Sequence, residues 1–296
     1  MLKRSREFMA LSRNGIFKKE KIIPNKIMVV ILHSEQYPWS SIIREGQFNT
    51  WVNCIDHEFI EVFYCFSKPP RKLIQILDET NELFRWKLGA VFSSIRNILN
   101  KIVARPFQSF IPKIVEENFN GAPKGVKRLR IKFPDMYLTA RWRQIAVMQF
   151  FLNQQRCEHL LFVTSATYLN TERLREVIRK LSNEYIYAGP VFGNPKEKQF
   201  VSGAHMLFNR KSVEILLRNR KFVPVELLND LGMGVAFARL GIRPQRLVTM
   251  NLSDSDQLNR IKQKDLETYH HFRLKSFKNG KRNDVKLFHE LHGRLT

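Results

Sequence analysis

Two sets of residues in this chain could do chemistry: a turn that follows an apolar run, and one aspartate. The run 160–163 ends in Thr164, Ser165 and Ala166, a pattern typical of a buried strand that opens into a polar turn. The hydroxyls of the turn can donate hydrogen bonds to phosphate oxygens, although they cannot neutralise phosphate charge. Asp230 carries a carboxylate that can accept a proton in a partly desolvated cleft. A helix cap is the alternative role for this aspartate, since a helical pattern follows it.

A third candidate set alternates along the C-terminal segment. His271, Arg273 and Lys275 are each separated by one residue, so on an extended strand they would project to one side. Cationic side chains in this arrangement could clamp a diphosphate and stabilise its departure, a task that metal ions often perform. A solvated basic tail is the alternative interpretation.

The charge of the chain indicates an anionic partner. Its 296 residues include 50 Lys and Arg against 27 Asp and Glu, which gives a formal net charge of +23. Nucleic acid, an acidic membrane surface and a phosphorylated small molecule all fit this charge. The sequence contains no helix-turn-helix, ribonucleoprotein aromatic motif or zinc finger, so we expect no nucleic-acid partner.

The cysteines and the apolar runs narrow the class of protein further. The odd number of cysteines, without metal-ligand spacing, predicts reduced thiols rather than a disulfide scaffold or zinc site; these are Cys54, Cys65 and Cys157. No apolar run approaches the ~20 residues of a membrane span. We therefore expect a cytoplasmic protein. The basic arm 1–26 is either a solvated tail or a contact with anionic lipid, which would place the protein on the inner face of the plasma membrane.

The order of apolar runs predicts an α/β fold. Strands and helices alternate, which favours a single large domain with a mainly parallel sheet flanked by helices. The predicted strands are 27–32, 59–66, 160–163, 185–188 and 203–208, and the predicted helices are 40–51, 139–153, 171–181, 210–218 and 226–240. The basic segment 83–113 is predicted to be a helical insertion that either packs on the sheet or lies in an acidic headgroup region. A basic segment 257–296 follows the domain 27–256.

Several of these segments, taken in order, resemble the fringe-like and β-1,3-galactosyltransferase group of GT-A glycosyltransferases. The resemblance covers about two-thirds of the chain. In that group a strand ends in an acidic triplet followed by Thr, an aromatic, an apolar residue and Asn; here Thr164-Ser165-Ala166 precedes Thr167-Tyr168-Leu169-Asn170. The family's carboxylates hold a divalent cation against the diphosphate of the sugar nucleotide. The resemblance therefore implies a donor site whose metal ligands have been replaced.

Later segments continue the resemblance on the acceptor side. Tyr187-Ala-Gly-Pro190 matches a Gly-Pro segment of the family, and the small-residue strand start that follows it implies acceptor contacts from Gly203, Ala204 and His205. Asn229-Asp230-Leu-Gly-Met-Gly234 resembles the family segment whose Asp deprotonates the acceptor hydroxyl. The resemblance implies that Asp230 is this base, that Asn229 lies near the acceptor, and that the anomeric configuration inverts.

The remaining matches bear on the donor. Three segments of the chain match the family here: the end of the first strand, an Arg-containing helix that ends in Thr50-Trp51, and an Asp-x-Tyr segment before the next helix. The resemblance implies donor contacts from His33, Ser34, Arg44, Asp135, Tyr137 and Arg143. Trp51 itself is interpreted as a core residue. The alternating C-terminal segment is similar to the tails of some bacterial GT-A sugar transferases, which implies that it completes the donor site beside Thr164, Ser165 and Ala166.

Together these features predict a glycosyltransferase that moves a sugar from a nucleotide-diphosphate donor to a glycan or lipid-linked glycan acceptor, in polysaccharide or lipopolysaccharide synthesis. We expect no required cofactor and weak dependence on metal, with Mn or Mg left open as an alternative. A non-enzymatic relative that kept the fold after losing the acidic triplet is the first competing hypothesis, and a nucleic-acid-binding protein is the second and less favoured one.

Overall fold

The strands of the fold form from the apolar runs of the sequence. A computed structural model describes residues 23–33, 35, 37–68, 111–134, 140–181, 184–194, 199–224, 227, 229–278 and 281–296. The strands are β1 (Ile23–Leu32), β2 (Ile60–Lys68), β3 (Ile114–Asn118), β4 (Lys127–Pro134), β5 (Cys157–Thr164), β6 (Thr167–Leu169), β7 (Tyr187–Gly189), β8 (Val191–Phe192), β9 (Phe200–Val201), β10 (His205–Asn209), β11 (Gln245–Arg246), β12 (Met250–Leu252), β13 (His271–Leu274), β14 (Phe277–Lys278) and β15 (Lys281–Arg282).

The helices lie between these strands. They are α1 (Trp39–Ser41), continued by a π-helical turn (Ile42–Gln47), α2 (Ala140–Gln154), α3 (Thr171–Lys180), α4 (Arg210–Arg218), α5 (Asn229–Arg239), α6 (Ser255–Arg260), α7 (Gln263–Leu266) and α8 (Asp284–Leu295), with 3-10 turns at Trp51–Cys54 and Arg220–Phe222. Side chains cap three of these described helices, because Asn170 accepts from the Arg173 amide, Asn209 from the Ser212 amide and Asp254 from the Gln257 amide. None of the helices in the described ranges combines the length and the apolar character needed to cross a membrane.

An eight-stranded sheet forms the centre of the molecule. Its strand order is β11-β7-β10-β5-β1-β2-β4-β3, and the central strands β5, β1, β2 and β4 run parallel. The two faces of the sheet carry separate apolar clusters, since Val29 and Ile31 of β1 belong to one cluster while Met28 and Val30 belong to the other. A parallel strand buried on both faces explains why these runs are continuously apolar. The predicted α/β fold with a mainly parallel sheet is confirmed.

Strand β10 departs from the expected pattern. It pairs antiparallel with both β5 and β7, and it begins at His205 rather than at residue 203. The apolar run that predicts a strand contains no information on direction, because a buried strand has the same composition in either orientation. The antiparallel direction has a consequence for the site, since it brings the start of β10 beside the end of β5.

A second, three-stranded sheet has the order β12-β13-β6. Strand β13 pairs parallel with β12 and antiparallel with β6, with Arg273 opposite Thr167. The amide of Leu274 also donates to the carbonyl oxygen of Ala166 at 2.8 Å. The C-terminal segment therefore lies directly against the turn that follows β5.

Some sequence predictions fall outside the described residues. They are residues 1–22 of the basic arm, residues 83–110 of the predicted basic helix, and the donor-side candidates Ser34, Asp135 and Tyr137. The predicted division of the chain into an arm, a domain and a basic C-terminal segment stays a prediction.

One backbone position gives a direct test of the packing between β7 and β10. Gly189 has φ +156°, and a Cβ there would lie 2.2 Å from the carbonyl oxygen of His205. We expect Gly189→Ala to lower the free energy of unfolding by about 2–3 kcal/mol, because backbone must move to admit the methyl group. Gly241 has φ +74° and nothing within 4 Å of a Cβ, so Gly241→Ala should cost only about 1 kcal/mol of backbone strain. Equal losses in urea unfolding would contradict this interpretation.

Candidate functional site

Three strand ends meet at one edge of the main sheet. Leu32 at the end of β1 is paired with Thr164 at the end of β5, and His205 at the start of β10 is paired with Val163. The residues just beyond these strands therefore lie on the same side of the sheet. Ligands of open α/β sheets bind at such carboxyl ends. The fold thus brings together the predicted residues on the β1, β5 and β10 segments, which are far apart in sequence.

The turn between β5 and β6 is largely buried. Ser165 and Ala166 are each 5% exposed, and Thr164 is half-buried. The Thr164 amide donates to the Thr167 hydroxyl at 3.3 Å. The parallel register of β1 and β5, with Leu32 opposite Thr164 and the His33 amide bonded to Cys65, directs the Ser165 amide toward the Leu32 carbonyl oxygen. The hydroxyls of Thr164 and Ser165 are the groups of this turn that can donate hydrogen bonds to phosphate oxygens.

Side chains from the segment after α1 support this turn from below. The Gln47 amide nitrogen donates to the Thr167 carbonyl at 2.9 Å and to the Thr164 carbonyl at 3.4 Å. The Trp51 indole donates to the same Thr167 carbonyl at 3.1 Å, and the Tyr64 hydroxyl donates to Gln47 Oε1 at 2.9 Å. Sequence reasoning placed Trp51 in the core, where it is 2% exposed. It missed Gln47, whose role depends on a contact 120 residues away.

Strand β13 carries the predicted cationic residues. Phe272 and Leu274 are fully buried in the core, so His271 and Arg273 lie on the opposite face of the strand. Lys275 follows the strand and is exposed. The neighbouring Arg273, burial and Arg282, in that order, lower the pKa of Lys275. These cations therefore form a positive surface beside the turn after β5.

His271 differs from its cationic neighbours. It is 1% exposed, and its Nε2 lies 3.2 Å from the Thr167 hydroxyl. Burial, with smaller contributions from His270 and Arg273, lowers the pKa of His271 well below its ordinary value. The side chain is therefore neutral at physiological pH. It can exchange a hydrogen bond with the turn, but it does not carry the positive charge that the alternating pattern predicted.

Two further histidines lie against His271. The Nε2 atoms of His205 and His270 are 3.2 Å apart, and the ring centroids of His205 and His271 are 4.5 Å apart. Burial first, and then neighbouring charges, lower the pKa of His205 well below its ordinary value and that of His270 to about 4. Sequence reasoning selected His205 and His271 as site candidates but not His270, although His270 directly precedes His271 in the sequence. The result is a buried, neutral imidazole cluster that packs β10 against β13.

Asp230 connects the start of α5 to the segment before β10. Its Oδ2 accepts from the Gly203 amide at 3.3 Å, and its Oδ1 accepts from the Leu231 amide at 2.9 Å. A Cβ on Gly203 would be 3.6 Å from Asp230 Oδ2, which shows how closely the backbone approaches the carboxylate. Asp230 lies in the first turn of α5 and is half-buried, and it bonds the backbone of its own helix as well as that of Gly203.

The neighbours of Asp230 also come from distant segments. The Asn229 side chain donates to Gln144 Oε1 of α2 at 3.3 Å. Gln144 is fully buried, and its Nε2 has no hydrogen-bond partner among the residues that the structure describes. Ala204 is 7% exposed beside Gly203. Of the acceptor-side residues predicted from sequence, Gly203, Ala204 and Asn229 therefore lie at or beside the Asp230 carboxylate, together with a glutamine that sequence reasoning missed. His205 lies instead against His270 and His271.

The donor-side candidates at the front of the site form a cationic region. His33 is 6% exposed at the end of β1, and burial, followed by the charges of Arg128 and Arg44, lowers its pKa to about 3. Arg128, which sequence reasoning did not single out, stacks 3.4 Å from the Phe66 ring centroid and pairs with Glu35 at 2.9 Å. The neutral histidine thus lies between aromatic rings and two guanidinium groups.

Arg143 is another of the donor-side residues predicted from sequence. Arg143 is 8% exposed on α2, one residue before Gln144. Arg141, two residues before Arg143, donates to the carbonyl oxygens of Pro224 and Leu227 and so supports the loop before α5.

In the described ranges, no group of three or more His, Cys, Asp or Glu residues is arranged to hold a metal ion.

Comparison with known proteins gives no family assignment, because the sequence matches no family model and no curated protein. Solved structures with a similar shape include the galactosyltransferase LgtC in complex with donor and acceptor sugar analogues, at TM-score 0.44 and 9% identity, covering 92% of this chain and 96% of that one. A glycosyltransferase involved in glycosylation of the major capsid of PBCV-1 has TM-score 0.38 and 12% identity, covering 90% and 98%. Mouse xyloside xylosyltransferase 1 has TM-score 0.38 and 9% identity, covering 84% and 96%.

The neutral histidine cluster predicts a pH dependence of stability. Unfolded histidines bind protons near pH 6.5, whereas folded His270 does so only near pH 4, so stability is lost as pH falls through this interval. We expect His205→Phe to reduce the slope of unfolding free energy against pH by about 1 kcal/mol per pH unit near pH 5, because one titrating group is removed. Urea unfolding between pH 7 and 4.5 measures the slope.

The control for this experiment is Phe208→Leu, a substitution on the same strand at a fully buried position. It should lower stability at every pH without changing the slope. A His205→Phe slope equal to that of the wild type would show that the imidazole already binds its proton in the folded state.

Proposed function

We propose that this protein is a GT-A-type glycosyltransferase that transfers a sugar from a nucleotide-diphosphate donor to a hydroxyl group of a glycan or lipid-linked glycan. The observation that carries the proposal is the placement of β13. Its pairing with β6 brings Arg273 opposite Thr167 and the Leu274 amide onto Ala166, so cations lie beside the turn where related enzymes hold their metal. The fringe-like resemblance of the sequence supports the same location for the donor.

In the proposed site, the turn after β5 and the C-terminal cations bind the donor diphosphate through different kinds of interaction. The hydroxyls of Thr164 and Ser165 supply neutral hydrogen-bond donors, and Arg273 and Lys275 supply positive charge. Charge-assisted hydrogen bonds to phosphate are stronger than neutral ones. Cations fixed beside the leaving group can stabilise the negative charge that develops on it. We therefore propose that donor binding depends little on a divalent cation.

Asp230 is the proposed general base. In a single displacement, the acceptor hydroxyl oxygen attacks the anomeric carbon while the bond from that carbon to the donor phosphate breaks. The hydroxyl proton passes to the Asp230 carboxylate, and the bonding pair leaves with the nucleotide diphosphate. The configuration at the anomeric carbon inverts. Asp230 and the turn lie at the same edge of the sheet, since Gly203 contacts Asp230 and precedes β10, the neighbour of β5.

The acceptor is proposed to be a cell-surface glycan precursor. The net charge of +23 favours work beside an anionic surface, and the basic arm 1–26 and basic segment 83–113 are the proposed contacts on the inner face of the plasma membrane. The similarity of the C-terminal segment to the tails of some bacterial GT-A sugar transferases supports a polysaccharide or lipopolysaccharide precursor as the proposed class of acceptor.

The proposal as a whole is tested by donor turnover. Purified protein is incubated with UDP-, GDP- and dTDP-sugars, with manganese or with a chelator, and release of nucleoside diphosphate is measured. Hydrolysis or transfer of at least one donor in the presence of the chelator is expected. If no donor is turned over under either condition, the chain is not a glycosyltransferase, and the non-enzymatic hypothesis is preferred.

Removal of the proposed base should abolish transfer without abolishing donor binding. We expect Asp230→Asn to lower the transfer rate by roughly 10²–10⁴-fold, because general-base catalysis contributes about this factor. Its affinity for the donor should stay close to that of the wild type. Asp256→Asn, at an exposed position on α6, is the matched control and should be fully active. A near-normal rate for Asp230→Asn would remove this residue from the mechanism.

Removal of the C-terminal cations should weaken donor binding. We expect Arg273→Met and Lys275→Met each to raise the dissociation constant for the nucleoside diphosphate about tenfold, the value of one charge-assisted contact of ~1.4 kcal/mol. Adding manganese should change the affinity much less than either substitution does. Lys264→Met, at an exposed lysine, is the control for the loss of one charge. Calorimetry that finds strong metal dependence and unchanged affinity in both variants would contradict this assignment.

A further inference from the structure

Two exposed aromatic side chains lie near the C-terminal hairpin of β14 and β15. Phe277 of β14 is 61% exposed, and Tyr37, two residues before Trp39 at the start of α1, is 71% exposed. The Arg282 guanidinium carbon lies 5.3 Å from the centroid of the Phe277 ring and 5.0 Å from that of the half-buried Trp39. Tyr37, Trp39 and Phe277 therefore form one region, called the aromatic surface below, from segments near opposite ends of the chain.

The hairpin that carries Phe277 is fixed by a buried carboxylate. Arg282 Nε donates to the two oxygens of Asp284 at 3.2 and 3.1 Å. Asp284 is fully buried and also accepts from the Ser276 amide at 2.8 Å. A guanidinium within about 6 Å of an aromatic ring is attracted to the ring face. Arg282 thus holds the Phe277 and Trp39 rings in place, although Phe277 stays mostly exposed to water.

The charge around the aromatic surface is positive. The stretch 269–283 contains no Asp or Glu and has five cationic residues, which are Arg273, Lys275, Lys278, Lys281 and Arg282. Lys275 is exposed just before the hairpin. Asp254 and Asp256 line the cavity beside Phe277, so the positive region ends on that side. This charge favours an anionic partner over an uncharged one.

An anionic bilayer is the partner that combines an affinity for aromatic rings with an affinity for cations. Tyr and Trp rings are enriched at the headgroup level of membranes, where the apolar part is buried and the polar tip stays hydrated. Lys and Arg side chains meet lipid phosphates at the same level. A bound sugar or nucleotide would need rings that line a cleft, whereas Tyr37 and Phe277 are each more than half exposed.

We propose that the aromatic surface docks on the headgroup region of an anionic bilayer, with the Tyr37 and Phe277 rings inserted, while cations of the stretch 269–283 attract the lipid phosphates. This contact is additional to the arm 1–26 and the segment 83–113. Phe277 follows Lys275 by two residues, so docking brings the proposed donor cations to the bilayer. The consequence that a lipid-linked acceptor is delivered to the site rests on the proposed function, whereas the docking itself does not.

Two double variants of equal net charge test the docking. Tyr37→Ser with Phe277→Ser removes the exposed rings of the aromatic surface. Phe192→Ser with Val248→Ser removes side chains that are 53% and 65% exposed, on β8 and in the loop before β12. The basic segments are unchanged in both, so their attraction to lipid is the same. Circular dichroism establishes that each variant is folded.

Binding to phosphatidylcholine vesicles that contain about 30% phosphatidylglycerol is measured by co-sedimentation at roughly physiological salt. We expect the Tyr37→Ser/Phe277→Ser variant to partition about tenfold more weakly than the wild type, because two apolar contacts with the interface are lost. The Phe192→Ser/Val248→Ser variant should bind within about twofold of the wild type, because its positions lie outside the aromatic surface. An equal loss in both double variants, or a wild type that does not bind these vesicles, would overturn the proposal.

The Phe277→Trp variant reports insertion directly and keeps an aromatic ring beside Arg282. Vesicles with brominated acyl chains should quench more fluorescence in this variant than in the wild type, because the new indole enters the interface. Phe192→Trp should show no additional quenching. If Phe277→Trp also shows none, the ring does not insert and the proposal is wrong.

Binding of a single-stranded oligonucleotide is measured in parallel. If the Tyr37→Ser/Phe277→Ser variant loses oligonucleotide binding and keeps vesicle binding, the surface serves nucleic acid and the docking proposal is wrong.

Donor turnover without vesicles separates this inference from the proposed function. A chain that turns over no donor, yet loses vesicle binding only when the aromatic surface is changed, keeps the docking surface and fails as a glycosyltransferase. A chain that turns over a donor and binds vesicles independently of the aromatic surface keeps the activity and overturns the docking.

Discussion

The antiparallel pairing of β13 with β6 is the contact on which the candidate site depends. It also brings the Thr167 side chain to that of His271, 104 residues later in the chain, and closing a loop of that length costs conformational entropy. Burial of Phe272 and Leu274 in the core offsets this cost. If the pairing were lost, the carbonyl of Ala166 would lose its bond to the Leu274 amide, and the turn would lose its cationic neighbours.

Charge is distributed in the site according to exposure. His205 and His271 are buried and neutral because the low-dielectric interior disfavours their charged forms. The exposed Lys275, by contrast, keeps contact with solvent. The proposed diphosphate therefore meets neutral hydrogen-bond donors at the base of the turn and cations at its open side. This division offers a physical account of how a turn without carboxylates could still serve a charged donor.

Local patterns predicted the fold well where the signal itself is local. Helix α4 has the predicted bounds, Arg210–Arg218, because helical spacing, a capping Asn209 and a polar stop lie within one short segment. The parallel strands β1 and β5 followed from continuous apolar runs. The direction of β10 and its position beside β5 did not, since strand direction depends on the path of the chain between elements.

The sequence by itself determined the chemical groups that are available: a turn with hydroxyls instead of acids, the carboxylate of Asp230 and the cations that alternate after His271. Only the tertiary structure decided how they are used. It placed Gln47 beneath the turn, brought His270 against His205 and made His271 neutral. The physical reason is that desolvation and long-range hydrogen bonds are properties of the surroundings of a residue, which a residue type and its neighbours in sequence do not specify.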